Sequence, residues 1–338
     1  MTLKLKDNNF IHRTGVHCES TVTSSLLFNY GIEASEPLVF GMGSGIFFGY
    51  FSYIRVLGMP LIAFRTMPGK ILKNTTARLG VSIETFTFKD PEKGMDALDK
   101  AIDKGIPVGV KAGVLWLPFF PDALRFNFNG HNFIVFGKDS NDYLISDAVF
   151  DTPVVCSRKD LMKARFCEGI MAPKGFMYYL TDVPDNVDFM PAIRKGIKDV
   201  CHVMTQIPFP LIGTKGLKRF AKALKTWPEK YEKRRVPLYL GHVIRMLEEI
   251  GTGGGGFRLM YAAFLHEVAR MTGDDRYMEM SKRMMVIGDR WREFSISSAR
   301  ICKNRSTNGN NFDHLSDIIL DCAGKEHQLY KDLWEIVK

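Results

Sequence analysis

The sequence predicts an α+β domain over residues 1–184 followed by an all-helical domain over residues 185–338. In the first half, helical patterns precede a run of strand patterns, which is typical of α+β proteins. Beyond the turn-forming segment 182–185, nearly all apolar residues recur at helical spacing. A chain of 338 residues also exceeds the roughly 250–300 residues that one hydrophobic core serves, so we expect two domains.

Two helices and four strands are predicted in the first domain. The segment 20–30 ends at Gly31, and the segment 91–104 begins at Pro91 and is followed by Gly105, so both carry helix-boundary signals. The predicted strands are rich in β-branched and aromatic residues. They lie at 106–110, 131–137, 143–147 and 176–181. A polar turn at 138–142 predicts that the second and third strands form an antiparallel hairpin.

The uncharged run 37–54 could be mistaken for a membrane span. Glycines at positions 41, 43, 45 and 49 make it a poor lipid-facing helix, so we expect buried, glycine-rich packing. The opening residues carry charges and no apolar segment, which predicts a cytoplasmic protein without a membrane partner.

The composition predicts a globular protein with a basic surface. Hydrophobic residues make up 46% and charged residues 25% of the chain, which excludes a disordered tail or a coiled coil. The net charge of +9 favours an acidic partner. Six cysteines include no C-x-x-C pair and no histidine at zinc-site spacing, so we expect free thiols and no metal.

Cys18 is the candidate nucleophile. It precedes the first turn of the predicted helix, where unpaired N–H groups and the helix dipole favour a thiolate by lowering the pKa of the thiol. The alternative is an inert, buried thiol. A nucleophilic cysteine needs a base, and His131 opens the strand 131–137. The predicted hairpin brings Asp147, at the end of the next strand, beside His131, where it can fix the imidazole tautomer.

Several motifs give the chain a family resemblance. A cysteine at the start of a helix, a downstream Gly-His strand and a following aspartate resemble the papain-like cysteine enzymes, in particular the bacteriocin-processing peptidases. The segments His12-x-x-Gly15-x-His17-Cys18-x-Ser20, Ser35-Glu36-Pro37-Leu38 and Phe40-Gly41-Met42-Gly43-Ser44-Gly45 resemble the butirosin biosynthesis protein H-like family. Thr226-Trp227-Pro228 and the segment 251–258 resemble the domain of unknown function that accompanies it.

The resemblance implies a thiol acyltransferase with a papain-like first domain. Cys18 would take an acyl group from the phosphopantetheine thioester of an acyl carrier protein, or from another thioester, and pass it to a small amine. His131 would act as base and Asp147 would orient it. The phosphopantetheine would belong to the donor, and no cofactor is expected. Two alternatives remain open: a cysteine hydrolase of the same architecture, acting as an amidase or peptidase, and a non-enzymatic protein that binds an acidic partner.

Four further residues are candidates for the site. Papain-like enzymes place an oxyanion-binding glutamine six residues before the cysteine; here that position is His12, which could donate the same hydrogen bond or be structural. Glu36, an acid in an apolar run, and Glu19 could bind a cationic amine. Glu36 could also accept a hydrogen bond from His12 or His17. His17 is a further candidate for substrate binding, with a structural role as the alternative.

The basic residues are concentrated in the segment 215–235, which contains nine basic and two acidic side chains. Lys218, Lys222 and Lys225 share a helix face opposite the apolar residues of the same segment, which predicts either a solvated surface or a dock for an acidic carrier protein. Nucleic-acid-binding motifs are missing. The glycine run 251–256 lacks a phosphate-loop sequence; it is expected to be an interhelix break, with an anion site as the alternative.

Overall fold

The computed structural model describes residues 5, 9–56, 58–305 and 311–338. The charged opening residues 1–4 and 6–8, on which the expected location partly rests, lie outside these ranges. Contacts divide the chain into two compact units. The first extends to Val39 and resumes at Leu72–Phe189; the second combines Phe40–Ile71 with Met190–Lys338. The sequence placed residues 40–71 in the first domain, whereas these contacts group them with the second unit.

The described part of the chain forms eight strands and eleven α-helices. The strands are β1 Ile46–Val56, β2 Met59–Arg65, β3 Ser82–Phe86, β4 Val108–Ala112, β5 His131–Asp139, β6 Asp142–Ser146, β7 Val154–Ser157 and β8 Met177–Asp182. The helices are α1 Cys18–Asn29, α2 Glu36–Met42, α3 Lys70–Arg78, α4 Pro91–Ile102, α5 Arg158–Arg165, α6 Phe189–Cys201, α7 Gly213–Lys230, α8 Arg235–Glu248, α9 Arg258–Thr272, α10 Asp275–Cys302 and α11 Phe312–Val337.

The first unit is an α+β domain built on an antiparallel sheet in the order β3-β8-β4-β5-β6-β7. Side chains alternate between the two faces of a strand. On one face, Phe133 and Val135 of β5 pack into a core with Met95 and Leu98 of α4 and Leu161 of α5. Helix α1 also contacts β5. The sheet therefore places the start of α1 near the start of β5.

The uncharged run 37–54 is mostly buried, as expected, and contains most of α2 and β1; β1 pairs with β2 in an antiparallel hairpin. Strand β1 is rich in aromatic residues, and Gly58, which lies between the two strands, takes a positive φ of 82°. Phe48 and Phe64 are buried, and both rings contact Trp291 of the second unit. This packing explains why residues 40–71 group with the second unit.

From Met190 onward, the described residues of the second unit form the predicted succession of helices. In α7, the predicted apolar residues Leu217, Phe220, Ala221 and Leu224 are all buried. None of the described helices is both long enough and apolar enough to cross a bilayer.

Candidate active site

Cys18 is the first residue of α1 and is partly exposed. The preceding residue, His17, caps this helix: it is buried, and its ring Nδ1 accepts a hydrogen bond from the Ser20 amide at 3.4 Å. Such a cap fixes the helix start, where the helix dipole favours negative charge on Cys18. The ring of His17 therefore acts in helix capping, which does not match the expected substrate-binding role.

His131 and Asp147 form a buried pair. The Nε2 atom of His131 lies 2.6 Å from Oδ2 of Asp147, and the second carboxylate oxygen accepts the Val149 amide at 3.1 Å. The antiparallel register of β5 and β6, with Ile134 opposite Ser146, brings the two residues together as the hairpin predicted. The imidazole is also hydrogen-bonded to the side chain of Cys18.

The environment of His131 favours its protonated form. Burial by itself lowers the pKa of the imidazole, but the charge and hydrogen bond of Asp147 and the contact with Cys18 outweigh burial, so the pKa is raised above its usual value. A protonated imidazole beside a sulfur stabilises the thiolate. Cys18, His131 and Asp147 thus form the arrangement used for nucleophilic catalysis by cysteine.

A fourth residue, Asn132, also reaches the sulfur. Its side-chain amide nitrogen lies 3.8 Å from Sγ of Cys18 and donates to the Gly130 carbonyl at 3.1 Å. Asn132 is not among the site residues predicted from the sequence. The signal available was a buried asparagine directly before the apolar run 133–136 of β5, where asparagine is unfavourable and therefore needs a reason.

The ring contacts of His12 favour the structural alternative over the oxyanion role. Its Nε2 donates to the Phe150 carbonyl at 2.9 Å, and its Nδ1 is hydrogen-bonded to the Ser146 hydroxyl at 2.7 Å. Both ring nitrogens are occupied by groups that flank Asp147. The Gly15 amide adds a bond to the Ala148 carbonyl at 3.1 Å. His12 therefore holds the segment before Cys18 against the segment that carries Asp147.

Glu36 also does not match its expected substrate-binding role. Its carboxylate accepts hydrogen bonds from the amides of Val16 and His17 and from the hydroxyls of Ser20 and Thr21, at 2.7–3.1 Å. A side chain at Gly15 would lie 2.8 Å from this carboxylate, which explains the glycine. Glu36 thereby fixes the backbone that leads into Cys18, and its partners are backbone and hydroxyl groups instead of a histidine ring.

Glu19 is buried at 2% exposure, and its carboxylate accepts the Leu72 amide at 3.3 Å. Burial lowers the pKa of Lys111 on the neighbouring sheet, and the negative charge of Glu19 opposes this shift. Glu19 is thus enclosed by the protein and electrostatically coupled to a lysine, which does not match the expected contact with an amine substrate.

Two family models match consecutive parts of the chain. The family "Butirosin biosynthesis protein H, N-terminal" matches residues 17–148, and the "Domain of unknown function (DUF4872)" matches residues 159–333, about half of the chain. The chain belongs to the butirosin biosynthesis protein H-like family. A solved structure from Bacillus anthracis, assigned as a C39-like peptidase, is 16% identical over 54% of this chain and 98% of its own, with a TM-score of 0.35. No curated protein gives a significant match.

Together, the family and the Cys-His-Asp geometry indicate that this butirosin biosynthesis protein H-like chain is a cysteine-dependent enzyme. The matched domains contain all of the site residues predicted from the sequence except His12, which lies just before the first match. The six cysteines all lie in the described ranges and carry free thiols, and Cys156, Cys201 and Cys322 are buried.

In the second domain of this butirosin biosynthesis protein H-like chain, the three candidate docking lysines lie on α7. Lys218, Lys222 and Lys225 are exposed, and Lys225 forms an ion pair with Asp313 at 3.1 Å. The pKa of His327 on α11 is lowered first by burial and then by the charges of Lys331 and Lys218. Lys218 therefore also faces α11. The described structure therefore presents a basic surface that includes residues of both α7 and α11.

The glycine run of this family member forms a tight left-handed turn between α8 and α9. Gly253 to Gly256 all have positive φ, and a side chain at Gly255 would approach the Gly288 backbone to 3.0 Å. The amide of Gly254 donates to Thr252, and that of Gly256 donates to the Leu247 carbonyl. The amide of Gly255 donates to the Glu248 carboxylate. Because these amides donate to groups of the protein itself, the glycine run is better explained as the expected interhelix break than as an anion site.

Proposed function

We propose that this protein is a thiol acyltransferase that moves an acyl group from a carrier-protein thioester, or a related thioester, through Cys18 to a small amine. The observation that carries the proposal is the contact between the helix-borne Cys18 and an imidazole held by Asp147 at 2.6 Å. Membership of a family named for antibiotic biosynthesis supports a biosynthetic transfer.

The proposed first step forms the acyl-enzyme. The Cys18 thiolate attacks the thioester carbonyl, a new carbon–sulfur bond forms, and the carbon–sulfur bond to the donor breaks. The departing thiolate takes the proton of the His131 imidazolium. Exchange between two thioesters is nearly isoenergetic, so this step needs no further energy source.

The proposed second step makes the amide. The amine attacks the acyl-enzyme carbonyl, neutral His131 takes its proton, and the bond to Sγ breaks as the carbon–nitrogen bond forms. The thiolate–imidazolium pair is restored. An amide is more stable than a thioester, which drives the transfer forward.

Hydrolysis remains the competing activity, because the same three residues would serve it if water replaced the amine. The partial exposure of Cys18 is compatible with access by either nucleophile. A purely binding role would fit a Cys18 buried away from His131, and the observed contact does not support it.

Intact-protein mass spectrometry with acyl-thioester donors tests the proposal. We expect the wild type to gain one acyl group that persists in buffer and is discharged when an amine is added. Cys18→Ala should give no adduct. Cys167→Ala, which removes another partly exposed thiol of the same unit, should behave as the wild type.

Three results would contradict transfer. Loss of the adduct in buffer at the same rate with and without amine would identify a hydrolase. The same adduct on Cys18→Ala, or none on the wild type with any donor, would show that the covalent mechanism is wrong.

A further inference from the structure

The proposed chemistry places a negative charge on the thioester oxygen when sulfur attacks the carbonyl. Cysteine and serine acyl-transfer enzymes stabilise this oxyanion with fixed N–H donors in a site protected from water. The backbone amide of Cys18, which is the first residue of α1, is one donor of the expected arrangement. The position expected to supply the second donor is His12, whose ring nitrogens are both engaged with Ser146 and Phe150.

Asn132 is placed to supply the second donor instead of His12. Its side-chain amide lies 3.8 Å from Sγ of Cys18, and the residue is 7% exposed. The carbonyl oxygen of an acyl group on sulfur lies two bonds from that atom. A donor at this distance from the sulfur can therefore approach the oxygen to the about 2.7–3.1 Å that oxyanion stabilisation requires.

The amide of Asn132 is also held in a fixed orientation. One of its two N–H groups can donate to the Gly130 carbonyl at 3.1 Å, and the other is directed at the sulfur. The backbone around it is fixed by strand pairing, with Asn132 opposite Lys111 of β4. A donor that is oriented before the reaction needs no reorganisation when charge develops on the substrate.

We infer that Asn132 is a catalytic residue whose side-chain N–H donates to the carbonyl oxygen of the acyl group on Cys18. The inference rests on the proposed function, because it assigns a role within that acylation step. In the free enzyme the same N–H group faces the sulfur. During attack the carbonyl π electrons move onto oxygen, where the N–H group meets the new charge, and they return as the donor thiol departs.

The test compares two reactions of the same cysteine in full-length protein. Alkylation by iodoacetamide displaces iodide and creates no oxyanion on a carbonyl attached to Sγ, whereas acylation by a thioester does. For Asn132→Ala and Asn132→Ser, we expect the acylation rate to fall about 100- to 1,000-fold. The alkylation rate at Cys18, located by peptide mass mapping, should stay within about threefold of the wild type.

Asn129→Ser is the matched control. Asn129 is another buried asparagine just before β5, but its amide donates to the Glu168 and Ile170 carbonyls, both at 3.1 Å. We expect this variant to lower thermal stability while leaving the ratio of acylation to alkylation as in the wild type.

The outcomes separate the inference from the function on which it rests. If the wild type is acylated and the Asn132 variants lose acylation and alkylation equally, Asn132 is only structural and the inference is wrong. The same conclusion follows if the Asn132 variants lose neither reaction. If the wild type is alkylated at Cys18 but accepts no acyl group, the proposed function fails and the inference fails with it.

Discussion

At the scale of single residues, Asp147 links the charge on His131 to the reactivity of Cys18. Replacing Asp147 by Asn removes the charge that raises the pKa of His131, so the imidazole should lose its proton at a lower pH. Near pH 6 the variant should then lack the cation that supports the thiolate. We expect Cys18 alkylation at pH 6 to fall about tenfold or more, and the rates to converge near pH 10, where a free thiol is ionised anyway.

Rates of iodoacetamide alkylation between pH 5 and pH 10 test this prediction. Asp151→Asn, which neutralises an exposed carboxylate close in sequence, is the control and should follow the wild-type profile. A pH profile of Asp147→Asn that runs parallel to that of the wild type would contradict the role given to Asp147.

The chemistry of individual residue types made part of the site predictable. Cysteine before a helix, histidine at the start of a strand and aspartate at a hairpin end each carry a local signal, and the structure brings these three together. The positions of His12 and Glu36 were not predictable. Their partners are groups that only the folded chain brings near, such as Ser146, 134 residues from His12.

At the scale of elements, boundary residues predicted the helices well. The predicted segments at 20–30 and 91–104 correspond to α1 and α4, which lie within two residues of them at each end. Strands β3 and β7 were missed because they form the two edges of the sheet, where short, half-exposed strands lack a strong apolar pattern. The β1–β2 hairpin was missed because its glycines resemble loop residues.

Helix α7 carries the prediction about carrier docking. Reversing Lys218 and Lys222 to Glu should weaken an acidic carrier protein's association and lower transfer from a carrier-bound donor about tenfold or more at low salt. Transfer from a small thioester should be unchanged. Lys225 is left intact, because its reversal would also place two acids together at Asp313.

Transfer assays with both donors over a range of salt concentrations measure this effect. Lys282→Glu with Arg300→Glu changes the net charge equally on exposed positions of α10 and should leave both reactions as in the wild type. An equal loss with both donors in the α7 variant would show that this face is not the dock.

At the scale of the whole molecule, the two compact units differ from the two consecutive domains that the composition change near residue 185 predicts. The change marks the start of the helical segment well, since α6 begins at Phe189. The composition change carries no information about residues 40–71. These residues belong to the second unit through contacts with helices far along the chain. Predicting that grouping requires knowledge of tertiary contacts.

A fragment of residues 1–189 should therefore aggregate. It retains the hairpin without the helices that bury Phe48 and Phe64, and each exposed aromatic ring presents a large apolar surface. We expect aggregation and strong binding of a hydrophobic dye, measured by size exclusion and fluorescence.

A matched fragment in which a short Gly-Ser linker replaces residues 40–71 should aggregate less. The linker is feasible because the Val39 carbonyl and the Thr75 hydroxyl lie 3.0 Å apart, so the two chain ends are close. Equal aggregation of both fragments would contradict the role assigned to the hairpin.

The early hairpin also constrains the order of events during synthesis. The ribosome releases Ile46–Arg65 well before α7 and α10, which carry the aromatic partners of its rings. Until those helices emerge, the nascent chain must carry an unburied aromatic hairpin, and such surfaces recruit chaperones or promote misassembly. A cell that synthesises this protein therefore has to protect a segment that the finished enzyme keeps buried.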